Sequence, residues 1–253
     1  MIRPIVLAGA LAGIIGAHST AQAAPVFWTD WINSSRTGGF TATGTLSTST
    51  STVNVAYNNP RGVGFYQTGA LGETDYWTAG GVRNNATSPF TSGPVDNIPT
   101  GTDIVALQFA GMQTLTFSEA IANPVFSYVS LNGNGYGFSQ DFDILSFGDG
   151  SATNQCGFWG CGTSSKQVVN LGGGVFEYQL LGTGEPHGTI RFTGAFDTVS
   201  WRSLSNEFWN GFTVGVQGTA REVFATPEPA SIALFGLGLA ALLGIRRHAK
   251  ENA

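Results

Sequence analysis

The chain has 253 residues, of which 11% are charged, less than half of the roughly 25% usual in soluble proteins. Eleven Lys and Arg against sixteen Asp and Glu give a net charge of -5. That leaves no basic field for a phosphate backbone and excludes nucleic acid as a partner. Hydrophobic residues make up 42%, enough for a packed core, which excludes charge-driven disorder.

The N-terminus opens with Arg3 and an apolar run from Ile5 to Ala17, followed by Ala21-Gln22-Ala23. A charged start, a short apolar stretch and an A-x-A site are the parts of a secretory signal peptide. The apolar run is too short to span a bilayer. Residues 1–23 therefore read as a signal peptide cleaved after Ala23.

The remaining body, Ala24 to Ala225, holds seven Lys or Arg and fourteen Asp or Glu, a charge of -7. Its pattern is strand and turn throughout. Thr41 to Thr52 is a Ser/Thr run that suits an edge strand with polar faces, or a solvated arm. Val53 to Tyr57 alternates, and Asn58-Asn59-Pro60 ends it. Gly80 to Pro99, rich in Gly, Asn, Pro and Ser, reads as a long surface loop. Strands are then expected at Ile104 to Phe109, around Leu115 and Phe117, and over Pro124 to Leu131. A turn at Asn132-Gly133-Asn134-Gly135 follows, then a strand at Ile144 to Phe147. Asp149-Gly150 marks a hairpin turn. Gly172-Gly173-Gly174 precedes a strand from Val175 to Leu181. The last expected strands hold Ile190 and Phe192, Phe196 to Trp201, and Phe212 to Val216. No segment carries a helical period. The fold class is all-β: a single antiparallel two-sheet sandwich, jelly-roll-like.

Few residues in the body carry chemistry. His187 is its only histidine, in the turn Gly184-Glu185-Pro186-His187-Gly188, where it reads as exposed. A zinc site of several histidines is excluded in the body, and no G-x-S-x-G elbow occurs. Cys156 and Cys161 flank Gly157-Phe158-Trp159-Gly160; in an exported protein they are expected to form a disulfide that pins an aromatic tip. Asp141 and Asp143 share one strand face and Asp149 follows. Such carboxylates, with loop carbonyls, suit Ca2+ as a structural ion; a solvated strand face fits the same pattern. The pair also motivates an alternative reading, a secreted polysaccharide hydrolase using carboxylates. Trp201 follows the alternation of Phe196 and Val199 imperfectly and reads as core, and Trp209 belongs to core or rim. Trp77 and Trp159 lie in Gly-rich loops, where planar rings suit stacking on sugar faces. Aromatic residues in β proteins are also commonly buried.

The C-terminus has Pro227-Glu228-Pro229, then an uncharged apolar stretch from Ala230 to Ile245, then Arg246, Arg247 and Lys250. As a helix the stretch would cover about 24 Å, short for a hydrocarbon core of about 30 Å unless the arginines snorkel. The basic end belongs on the cytoplasmic side. These three parts, in this order over residues 226–253, resemble the PEP-CTERM sorting signal. The resemblance implies an exosortase-type membrane enzyme as partner in a Gram-negative bacterium. It further implies an inner-membrane-anchored precursor, cleavage near the motif, and delivery of the body to the cell surface or exopolysaccharide matrix. The missing catalytic set then points to a non-enzymatic surface or matrix protein, with exopolysaccharide as the candidate ligand.

Overall fold

A computed structural model describes residues 25–224. The expected signal peptide over residues 1–23, Pro227-Glu228-Pro229, the apolar segment 230–245, Arg246 and Arg247 lie outside the described residues. Among the described residues, no helix is long and apolar enough to cross a membrane.

The strands in chain order are β1 (Phe27–Trp28), β2 (Asp30–Ser35), β3 (Phe40–Ser47), β4 (Thr52–Asn59), β5 (Phe65–Gln67) and β6 (Ile104–Leu107). They continue with β7 (Gly111–Ala122), β8 (Val125–Val129), β9 (Gly135–Phe138), β10 (Phe142–Phe147) and β11 (Gly162–Gly172). The last are β12 (Val175–Gly184), β13 (Gly188–Phe192), β14 (Ala195–Ser203), β15 (Asn210–Val216) and β16 (Gly218–Thr219), before a single-turn helix α1 (Ala220–Phe224).

The strands form two antiparallel sheets. One has the order β10-β13-β8-β15-β6-β5, with β1 added beside β15. The other runs β11-β12-β9-β14-β7-β4-β3-β2, with β16 beside β7. From β7 to β10, and again from β12 to β15, the chain steps from one sheet to the other, wrapping in the manner of a jelly roll. The expected sandwich is therefore the observed one.

The alternation in sequence sets the inner faces. In β4, Val53, Val55 and Tyr57 point inward while Asn54, Ala56 and Asn58 face water. Trp201 of β14 sits between the sheets. It stacks on Phe138 and Tyr57 of its own sheet and meets Phe126 and Phe212 of the other edge-on, at 5.3 and 5.0 Å between ring centroids. Phe126 and Phe212 lie flat on each other at 4.8 Å.

Two expectations about loops need correction. The run Thr41 to Thr52 is strand to Ser47, turns, and re-enters strand at Thr52; the first of these strands is internal, with β2 on one side and β4 on the other. Its apolar face, Phe40, Ala42 and Leu46, is what draws it in. Gly80 to Pro99 is loop but not merely surface. Phe90, Val95 and Ile98 are buried, and Phe90 and Ile98 cluster with Trp77, Ile104 and Val129. The segment thus roofs the outer face of β6 and β8. Phe90 and Pro94 fasten it by accepting hydrogen bonds from Thr189 Oγ1 and Gln217 Nε2, at 2.8 and 2.9 Å.

At the C-terminal end of the body, Glu222 of α1 clasps the β3–β4 turn. It accepts bonds from Thr48 Oγ1 at 2.8 Å, the Thr50 amide at 3.0 Å and the Thr219 amide at 2.7 Å.

Candidate functional site

Cys156 and Cys161 are bonded to each other, with their Cα atoms 4.3 Å apart. The Gly157 amide donates to the Gly160 carbonyl at 2.9 Å, closing a tight loop. Gly157 is required here: a Cβ at that position would fall 2.2 Å from the His187 ring beneath it. The loop projects Phe158 and Trp159 onto Tyr76 and Trp209. Phe158 meets Tyr76 at 5.0 Å and Trp159 at 4.8 Å; Tyr76 meets Trp209 at 4.9 Å. Trp209 meets Phe65 at 4.8 Å, completing a five-ring platform. Trp159 is 53% exposed at its outer side, and Phe208 beside Trp209 is exposed as well. Trp209 therefore belongs to the rim rather than the core.

A polar rim adjoins the rings. Glu185 pairs its amide with the Cys161 carbonyl at 2.9 Å, at the base of the aromatic loop. Its carboxylate accepts from Ser130 Oγ at 2.6 Å and from Asn132 Nδ2. Glu207, two residues before Trp209, accepts from Asn210 Nδ2 at 2.7 Å through Oε2. Its Oε1 is buried without a partner. Burial pushes the Glu207 carboxyl up to about 7, against the pull of Asn210, and the charge of Glu185 adds to the push. Asn134, on the same turn as Asn132, accepts from the Ser205 amide and hydroxyl, both at 3.0 Å.

His187 is not an exposed turn residue. It is fully buried, with Gly157 above and Phe90 at 6.3 Å. Its Nδ1 lies 2.8 Å from the Glu185 carbonyl, which only accepts, so Nδ1 carries the proton and Nε2 is bare and unpartnered. Burial pulls its pKa down to about 4.

The sequence-predicted sites separate as follows. Trp77 is closed to any sugar: it is 0% exposed, packs on Phe90 at 5.1 Å and donates its indole N–H to the Asp103 carbonyl. Asp141, Asp143 and Asp149 do not converge on a Ca2+ site. Asp141 pairs with Lys166 at 2.9 Å and Asp143 with Arg191 at 3.1 Å. Asp149 lies beyond the other end of β10, accepting from the Ser151 amide. Among the described residues, no three His, Cys, Asp or Glu gather as metal ligands. Tyr76, Glu185 and Glu207 were not singled out from the sequence. The only local signal was an acid beside aromatics in Glu207-Phe208-Trp209-Asn210.

The family model of the PEP-CTERM protein-sorting motif matches residues 225–247. The chain carries a PEP-CTERM sorting motif. The match contains Pro227, Glu228 and Pro229 and ends on Arg246 and Arg247. It marks an exported protein sorted by an exosortase-type enzyme. No curated protein and no solved structure matches the chain. Export of a PEP-CTERM protein also fits the disulfide, since bonds of this kind persist outside the reducing cytosol. Peptide mapping of unreduced exported protein should recover Cys156 linked to Cys161. Cys156→Ala should cost roughly 2 kcal/mol, because so short a loop constrains little chain entropy. Free thiols at both positions in exported material would contradict the bond.

Proposed function

We propose that the mature protein is a non-enzymatic component of the exopolysaccharide layer and binds sugar rings on its aromatic platform. A Gram-negative cell would make it as an inner-membrane-anchored precursor and release it by cleavage near Pro227-Glu228-Pro229. The observation that carries the binding reading is Trp159, half exposed on a five-ring cluster with Asn132 and Glu185 at its edge. Apolar sugar faces stack on such rings, and the edge groups suit hydroxyls. The arrangement favours binding over turnover. Each Glu185 oxygen accepts one protein hydrogen bond, and Glu207 keeps Oε1 buried. With Glu207 withdrawn in this way, the two acids do not form an accessible hydrolytic pair.

One ring contact contributes only about 0.5–1.5 kcal/mol. A few such contacts together with the edge hydrogen bonds reach about 4 kcal/mol, a millimolar single-site affinity. Retention comes from many copies along a polymer. The test is wash-resistance of the full chain in the producer's matrix. Trp159→Ala should release several-fold more protein, and Pro227→Ala with Glu228→Ala and Pro229→Ala should hold the body in the inner membrane. Unchanged retention of Trp159→Ala would end the binding reading. Soluble oligosaccharide released by the parent, and abolished in Glu185→Gln, would make the protein an enzyme instead.

A further inference from the structure

We infer that the platform selects sugars bearing a free amine, as in a de-N-acetylated aminoglycan, and rejects uronate-rich polymers. The inference rests on the binding reading above and narrows its ligand. The groups within reach of the rings decide it. Glu185 brings a carboxylate to the platform's edge: its side chain packs against Gly160, next to Trp159, and is held by Ser130 and Asn132. Each Glu185 oxygen accepts one protein hydrogen bond. A carboxylate offers about four lone-pair sites, so Glu185 retains capacity for an incoming ammonium.

Among the cations close in sequence to the rings, Arg83, seven residues from Tyr76, is already committed. Its guanidinium holds Asp75 at 2.6 Å and the Pro99 carbonyl at 2.6 Å, and it also donates to the Gly101 carbonyl. Arg202 is bound to Glu177 at 2.6 and 2.8 Å. These two guanidinium groups are therefore not free for a uronate carboxylate. A second attraction adds to the first. The faces of Trp159 and Trp209 present negative quadrupole density, which favours a cation lying over the ring. The body's seven basic against fourteen acidic residues extend the same sign over longer range. An aromatic face with a carboxylate at its edge matches a sugar whose one apolar face stacks while its ammonium reaches the rim. A uronate in the same pose would place like charges together.

The experiment uses the full chain in mild detergent, immobilised, with three oligosaccharides of equal length: glucosamine, N-acetylglucosamine and galacturonate. The glucosamine oligomer should bind about tenfold more tightly than the acetylated one, as one charge-assisted hydrogen bond allows. The galacturonate oligomer should not bind. Glu185→Gln should bring the two amino sugars to within about twofold, and a circular-dichroism spectrum and unfolding midpoint like those of the parent show that the variant is folded. Trp159→Ala should lose both. Equal or tighter binding of the acetylated oligomer overturns this inference and leaves the binding reading standing. Retained glucosamine binding by Trp159→Ala overturns it too, by showing diffuse attraction to an acidic surface. No binding of any of the three overturns both readings. Should Glu185→Gln fail to fold, the order of the three oligomers on the parent decides alone.

Discussion

Trp201→Ala should cost about 3–5 kcal/mol of folding stability, the range for deleting a buried aromatic ring. The ring is fully buried and touches Tyr57, Phe126, Phe138 and Phe212 at 5.0–6.1 Å between centroids. It bridges the two sheets, so its removal opens a void where neither sheet can close without moving the other. Collapse of the site is therefore limited, which places the cost at the upper part of the range. Trp159→Ala should stay within roughly 0.5 kcal/mol, because its outer half already faces water and its loop is held by the disulfide. Denaturant unfolding of the exported protein and both variants measures the difference. A Trp201→Ala loss below about 1 kcal/mol would contradict the packing between the sheets. A Trp159→Ala loss above about 2 kcal/mol would make Trp159 a structural residue and weaken its role as a ligand face.

These two tryptophans show where the sequence was legible. Trp201 could be assigned because its strand alternates apolar and polar residues, and water on one face leaves that signature. Val53, Val55 and Tyr57 were readable for the same reason. The code fails where both faces are covered or where no face is. In β8 all five residues are buried, and their sequence gives no hint that the 80–99 segment supplies the second cover. In β11, where most side chains face water, the sequence carries too few apolar residues to announce a strand. β9, Gly135–Phe138, begins within residues that read as a turn, because Gly137 leaves room for the Glu177 carboxyl.

The loops were less legible for a different reason. Trp77 and Trp159 have similar Gly-rich neighbours, yet one is sealed under Phe90 and the other stands open. What decides is the residue across the gap, about which sequence neighbours say nothing. The platform draws on segments near residues 65, 76, 158 and 209, so no window of sequence contains it. His187 went the same way. Its turn is polar by composition, but Gly157 leaves room for the ring and the disulfide loop seals it. The sorting tail was readable because its signal is local: three residues, an apolar run and a basic end.

Two groups shifted by burial, His187 and the half-buried Glu207, should give the protein opposing pH dependences in separate variants. His187 has a folded pKa of about 4 against 6.5 in an open chain. Between those values the unfolded chain binds the extra proton, so this residue's contribution is intact above 6.5 and is lost as pH falls toward 4. The full loss is about 3 kcal/mol at roughly 1.4 kcal/mol per unit. Glu207 behaves the other way. Its folded pKa of about 7 exceeds the ordinary 4.5, so its contribution is present below 4.5 and is lost as pH rises through 7. Solvent near Glu207 reduces that loss to about 1–2 kcal/mol. In the wild type the two slopes partly cancel between pH 4.5 and 6.5, and Asp103, raised to about 6 by burial, adds to the Glu207 side. Differences between proteins isolate each group, because everything else titrates alike. The stability advantage of wild type over His187→Gln should be flat above pH 6.5 and shrink by about 3 kcal/mol toward pH 4. Lost packing in the variant adds only a constant offset. Glu207→Gln, which mimics the protonated acid, should match the pH dependence of the wild type below 4.5 and gain about 1–2 kcal/mol on it by pH 8. Unfolding measured by tryptophan fluorescence from pH 4 to 8 reads both curves. A His187→Gln difference that stays level across that range would mean the ring is open to water and the disulfide loop does not seal it.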